Sequence, residues 1–252
     1  MVSREALVRY IDELLDVPAF SDYAPNGLQV EGAESISRLV TGVTASRTLL
    51  EAAVTQRAEA VLVHHGYFWK GEDPRVVGMK QRRLKLLLEH NINLLAYHLP
   101  LDAHPELGNN ACLGRQLQVE VKGGLGDEMP RGVGLWGTLA EPLSPAALAG
   151  RIEHALNRAP LHIPGGRESI TTVGWCTGSA QGMIAQAAAR GLDAFISGEI
   201  SEPTVHAARE LGIHYFAAGH HATERGGVCA LGEHLATRFD IEHQFVDIDN
   251  PV

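Results

Sequence analysis

The feature that most constrains this chain is a strand–helix rhythm that occurs twice. Glu59-Ala60-Val61-Leu62-Val63-His64-His65 aligns without gaps on Asp193-Ala194-Phe195-Ile196-Ser197-Gly198-Glu199. At the same offset, Thr44-Ala45-Ser46 falls on Gly178-Ser179-Ala180. Short apolar runs at 28–32, 36–44, 60–63 and 92–96 read as strands, and runs at 170–176, 194–197 and 214–217 repeat the pattern. Between them, 46–57, 79–90, 181–189 and 203–211 read as helices. An opening helix over 3–16 is capped by Ser3, with Leu7, Val8, Ile11, Leu14 and Leu15 as its apolar stripe. Alternation on this scale implies an α/β fold with parallel-rich sheets and helices packed on them.

The expected organisation is therefore two related α/β halves, 1–123 and 169–252. They are joined by a linking segment, 124–168, with one strand (132–139) and one helix (144–156). The 252 residues suffice for such a core. Common strand–helix rhythm among unrelated units is the plainer explanation of the likeness. What favours duplication is that chemically capable residues coincide: His65 over Glu199, His98 over His220, Asp102 over Glu224.

A net charge of −9 argues against a nucleic-acid scaffold, which needs Lys and Arg against phosphate. Three cysteines without CxxC spacing fit reduced thiols in a cytoplasmic protein, with Cys112 and Cys229 read as core. The N-terminus reads as an amphipathic helix rather than a signal peptide, and no apolar run is long enough to cross a membrane. Thirteen histidines, with no terminal tag, point to metal or acid–base chemistry.

His64-His65 ends an apolar strand, where open α/β sheets build their sites. Neighbouring strand residues face opposite ways, so both reach one cluster only if the chain turns after them, as Gly66 permits. His98-Leu99-Pro100-Leu101-Asp102 is too long as a strand to serve one ion, and Pro100 bars a helix interior. It is either a ligand pair in a tight turn or a proline turn whose Asp102 caps the next helix. His220 and Glu224 share a face on a helical turn, either as ligands or as a helix-start glutamate with a solvent-facing histidine. The set is His64, His65, Asp102, His220 and Glu224, with His98 and Glu199 in reserve. That is too many for one tetrahedral zinc and suits two divalent ions, among zinc, manganese, iron, cobalt and nickel. Two such ions activate water, so hydrolysis is the expected chemistry, with Glu199, His98 and His221 as proton carriers. Gly132-Val133-Gly134-Leu135-Trp136-Gly137 matches GxGxxG but leads into a strand, and neither a P-loop nor a GxSxG elbow is present.

Asn26-Gly27-Leu28-Gln29-Val30-Glu31-Gly32, Val63-His64-His65-Gly66, Tyr97-His98-Leu99-Pro100-Leu101-Asp102 and Gly219-His220-His221-Ala222-Thr223-Glu224 resemble motifs of the Nif-three-like family. The resemblance is to its YbgI-type bacterial members, labelled GTP cyclohydrolase 1 type 2 homologs, and covers nearly the whole chain. It implies the Nif-three-like fold, with mixed sheets flanked by helices and a metal site between the halves. It implies a dinuclear centre on His64, His65, Asp102, His220 and Glu224, and a homohexamer whose metal sites face an internal cavity. Gly66 stands where many members have proline; either residue redirects the chain. The implied activity is GTP cyclohydrolase-like hydrolysis of a small, nucleotide-like substrate, although no guanine-reading motif is found. The alternatives are a non-catalytic metal store or carrier and an interaction protein braced by metal.

Overall fold

A computed structural model describes residues 1–126 and 132–252; residues 127–131 of the expected linking segment lie outside the described residues. The chain forms two compact units. The first comprises 1–101 and 227–249, the second 102–226 and 250–252.

In the first unit, five strands lie in the order Glu242–Phe245, Arg38–Thr44, Ala60–His65, Asn93–Ala96, Gly27–Val30. The first four run parallel and Gly27–Val30 pairs antiparallel at the edge. The middle strand, Ala-Val-Leu-Val-His-His, is buried on both faces through its first five residues, as a central parallel strand must be. Helices Arg47–Thr55 and Gly78–Glu89 cover it. Leu49, Leu50, Leu84 and Leu87 join Val40, Val61, Val63 and Leu94 in one core. Ser46 caps the first of these helices by accepting from Leu49 N at 3.3 Å, and Ser3 caps Arg4–Leu14 from Ala6 N at 3.2 Å.

The second unit holds six strands in the order Val119–Gly124, Leu135–Leu143, Ile170–Cys176, Ala194–Ser197, His214–Ala217, Leu161–Ile163. Its three middle strands are parallel and its outer strands antiparallel. Trp175, Ile196, Phe216, Leu148 and Ile152 lie at the core.

The two units repeat one another in detail. Ala60 pairs with Leu39 and Asn93; its counterpart Ala194 pairs with Val173 and His214. In each unit the parallel strand that follows the middle one, Asn93–Ala96 or His214–Ala217, is edged by an antiparallel one. The acidic residue before the middle strand does the same work in both. Glu59 accepts from Ser37 N, Ser37 Oγ and Arg38 N; Asp193 accepts from Thr171 N, Thr172 N and Thr172 Oγ1. Left-handed residues also recur at equivalent helix ends, Arg57 with φ 55° against Gly191 with φ 74°. Shared rhythm alone does not produce matching side-chain clamps.

Several expectations need correcting. The compact units do not divide the chain at 123/124 and 168/169, because strand pairing crosses those points. Residues 242–245 return to the first sheet, and the strand expected at 132–139 is Leu135–Leu143, inside the second. Gly132 and Gly134, at φ 90° and 84°, form the turn before it. The helix expected at 181–189 opens as a 3-10 turn, Gln181–Met183, before Ile184–Ala189. Leu99–Ala103 is a helical turn rather than a non-helical one, since Pro100 sits in its first turn, where no N–H is needed. Cys112 is buried, whereas Cys229 is partly exposed. Among the described residues, no helix is long and apolar enough to cross a membrane.

Candidate metal centre

In both units the chemically capable side chains collect at the carboxyl ends of the parallel strands. In the first, Ala60–His65 ends on His65, and His98 follows Asn93–Ala96 by two residues. The three imidazoles gather there. Ring centroids lie 4.7 Å apart for His64 and His65, 5.0 Å for His64 and His98, and 5.8 Å for His65 and His98. One ring nitrogen from each lies within 4.8 Å of the others.

Each ring is held through Nδ1. His64 Nδ1 donates to the Tyr97 carbonyl at 2.9 Å. His65 Nδ1 is hydrogen-bonded to Thr44 Oγ1 at 3.2 Å. His98 Nδ1 donates to Asp22 Oδ1 at 2.7 Å. Histidines that ligate metals are oriented this way, with one nitrogen given to an acceptor and the other presented to the ion. Asp22 is in turn fixed by Asn26 Nδ2 and Leu99 N, both at 2.9 Å. Burial works against its charge, but His98, Asn26 and Leu99 outweigh it and hold the carboxyl down at about 2.

The Asn26–Gly32 segment explains itself here. Asn26 Oδ1 accepts from His98 N at 2.7 Å, and Gln29 Oε1 accepts from Tyr67 N at 2.7 Å, so one loop pins both histidine-bearing turns. Gly66 is needed for close approach: a Cβ there would overlap Gln29 Oε1 and sit 2.6 Å from Ala96 Cβ.

In the second unit, His220 and Glu224 lie one turn apart at the start of the helix His220–Phe239. His220 Nε2 is 3.3 Å from Glu224 Oε2, and His220 Nδ1 is 2.7 Å from Glu199 Oε1. Ser179 Oγ donates to the other Glu199 oxygen at 3.1 Å. Burial opposes a charge on His220, yet Glu224 and Glu199 outweigh it and raise the imidazole to about 9. A spot that favours an imidazolium this strongly also favours a metal cation. Asp102 and Glu224, both buried, bring carboxylate oxygens within 4.8 Å of each other. Asp102 Oδ1 accepts from Asn109 Nδ2 at 2.9 Å and Thr177 Oγ1 at 3.3 Å. It does not cap the following helix, whose N-cap is Gly108.

Gly178, with φ 68°, leaves a cradle beside these groups. A Cβ would overlap Glu224 Oε1 and lie 3.2 Å from His220 Nε2. Thr223 ties the cradle together: its Oγ1 accepts from Gly178 N at 3.1 Å and donates to the His220 carbonyl at 2.9 Å. Burial, with Asp102 and then Glu224 nearby, pushes the Cys176 thiol up and keeps it protonated. His221 begins the helix beside His220, half-exposed, its backbone N donating to the Val252 carbonyl at 3.0 Å. Asp22, Asn109 and Thr177 were not singled out from sequence, and Asn26, Gln29, Thr44 and Thr223 appeared there only inside quoted stretches, with no role of their own.

A duplicated α/β fold with histidines and carboxylates at its strand ends defines a class of proteins whose side chains can hold metal ions. The chain belongs to the Duf34/NIF3 (NGG1p interacting factor 3) family, whose pattern it matches over residues 2–251. A Pseudomonas aeruginosa protein named GTP cyclohydrolase 1 type 2 homolog is 58% identical over 250 residues, covering 99% of each chain. The solved structure of protein ybgI, described as of unknown function, is 52% identical with a TM-score of 0.96 over 100% of both chains. A solved structure from Thermus thermophilus, of the protein TTHA1606, is 33% identical with a TM-score of 0.90, again over 100% of both.

Proposed function

We propose that this protein binds two divalent metal ions through His64, His65, Asp102, His220 and Glu224 and uses them to hydrolyse a small, nucleotide-like substrate. The observation that carries the reading is His220, held on Nδ1 by Glu199 with Nε2 turned to the Glu224 carboxylate. A carboxylate–histidine pair of this kind fixes the tautomer and raises ligand basicity. The mixed imidazole and carboxylate donors suit zinc, manganese, iron, cobalt or nickel. Bound ions would supply Lewis acidity toward a carbonyl, phosphoryl or ring carbon.

The chain's own residues do the rest. Glu199 aims His220, and Asn109 and Thr177 fix the Asp102 carboxylate. Thr223 locks the turn that carries His220 to Gly178. Glu199 and His221, both partly exposed, are placed to exchange protons with solvent, while His98 sits in the histidine cluster. The name shared by the curated relatives supports a GTP cyclohydrolase-like reaction. In this reading the protein works in the cytoplasm as a homohexamer, without membrane or nucleic-acid partners.

His220→Ala and Asp102→Ala should each lower bound metal in purified protein well below the parent's. Full metal content in both would overturn the assignment. The loaded protein should hydrolyse at least one member of a panel of nucleotides and small esters, and Glu224→Gln should abolish that activity. Inactivity across the panel, with metal content that follows supply, would move the assignment to metal storage or delivery.

A further inference from the structure

Two aromatic side chains stand beside His98 and take no part in holding metal. We propose that Tyr23 and Trp69 are the walls of a stacking site for a planar heteroaromatic ring, so that a nucleotide substrate is held by its base on the His98 side of the centre. This rests on the reading of a nucleotide-like substrate and deepens it, by naming the part of the substrate that is recognised and the residues that recognise it.

Both rings approach the same imidazole. Trp69 lies edge-on to His98, with ring centroids 5.1 Å apart and planes at 83°; Tyr23 does the same at 6.4 Å and 64°. Their own centroids are therefore no more than about 11.5 Å apart, whereas a ring in van der Waals contact with both needs about 7–8 Å between them. Tyr23 is 64% exposed, so rotation of its side chain can close that gap.

The backbone under the two rings is built as one piece. Lys70 N donates to the Tyr23 carbonyl at 2.7 Å and joins the two loops. Trp69 Nε1 donates to the Gly66 carbonyl at 3.3 Å, and Glu72 N donates to the Trp69 carbonyl at 2.9 Å. Just before Trp69, Phe68 has φ 66°, a conformation that a bulky L-residue rarely adopts and that concentrates at ligand sites.

The plainer account is that the aromatics only cover the histidines. A cover gains stability by burying its own rings. Here Tyr23 is left 64% and Phe68 38% exposed, and Trp69 is only partly buried. Stacking accounts for this: an open aromatic face gains its contact when a flat ligand arrives. Every base has a π-face, so stacking also supplies recognition without a guanine-reading motif.

The test compares GMP with ribose 5-phosphate, which lacks only the base. Binding to metal-loaded full-length protein is read by calorimetry, with metal analysis of the same samples. The forms are the parent, Trp69→Phe, Trp69→Leu and Tyr23→Leu. The parent should bind GMP at least about fivefold more tightly than ribose 5-phosphate. Trp69→Leu and Tyr23→Leu should each weaken GMP about 5–150-fold, leave ribose 5-phosphate within about twofold and keep the parent's metal. Trp69→Phe, which keeps a π-face, should bind GMP within about threefold of the parent. A metal-holding parent that binds GMP no better than ribose 5-phosphate overturns this inference and leaves the metal reading standing. Loss of metal in Trp69→Leu, or equal weakening of both ligands, shows a packing role and also overturns it. Parent-like GMP binding in Tyr23→Leu overturns the two-walled site. A parent that retains neither metal nor GMP overturns both readings.

Discussion

Gly178→Ala is the sharpest probe of the carboxylate side of the proposed metal centre. Gly178 is held at φ 68°, where an L-residue pays roughly 1–2 kcal/mol. The backbone cannot slide away from the strain. Its carbonyl accepts from Gly198 N at 2.9 Å, Ser197 Oγ at 3.1 Å and Glu199 N at 3.2 Å, and its N donates to Thr223 Oγ1. The new methyl therefore meets the buried Glu224 carboxylate, and displacing a packed neighbour adds about 1–3 kcal/mol. The total, about 2–5 kcal/mol, corresponds to a fall in melting temperature of about 4–20 °C for a chain of this size. Gly191→Ala supplies the control. Gly191 has φ 74° and nothing within 4 Å of its missing Cβ, so only the backbone cost of about 1–2 kcal/mol applies, about 2–8 °C. Scanning calorimetry on both variants, with metal analysis of the same samples, separates the terms. Gly178→Ala should melt lower than Gly191→Ala and lose metal. If it melts with Gly191→Ala and keeps the parent's metal content, the reasoning about the cradle is wrong.

Two further outcomes are expected. Burial works against the Asp193 carboxylate, but Thr171 N, Thr172 N, Thr172 Oγ1 and Arg167 outweigh it and hold the carboxyl below its ordinary range. Its stabilisation is complete above an unfolded value of about 3.9 and fades as pH falls through the lower folded value. Asp193→Asn should therefore cost about 1–3 kcal/mol at pH 7 and less at pH 3 by urea unfolding, and an equal cost at both would refute the ionised clamp. Gly66→Ala should lower stability by about 1–3 kcal/mol through its overlap with Gln29, and trimming that side chain with Gln29→Ala should recover part of the loss in the double variant.

Much of the frame was readable in the sequence because it rests on local signals. Val-Leu-Val and Phe-Ile-Ser runs between helices announce buried parallel strands, and Ser3, Ser46 and Ser144 announce helix starts. The ligand candidates were readable because histidines and carboxylates fall just after those strands. Glu242–Phe245 was not readable: a short polar strand at an edge has little pattern of its own and is defined by its partner about two hundred residues away. The same holds for the long-range hydrogen bonds around the candidate site. Asp22 meets His98 across 76 positions and Asn110 meets Thr177 across 67, and no local spacing encodes such pairs. Proline was over-read at position 100, because its effect depends on where in a helical turn it falls.

The paired clamps of Glu59 and Asp193 bear on how such a chain evolves. Each clamp sits at the amino end of its middle strand, and the chemistry sits at the carboxyl end, about 20 Å away in the first copy at roughly 3.3 Å per residue. The hydrogen bonds of each clamp involve no residue of the carboxyl end. The two copies can therefore share the clamp while one carries His64-His65 and the other Gly198-Glu199. Spatial separation of scaffold from function makes the molecule modular within a single strand, and it lets one ancestral unit yield two unlike halves of chemistry.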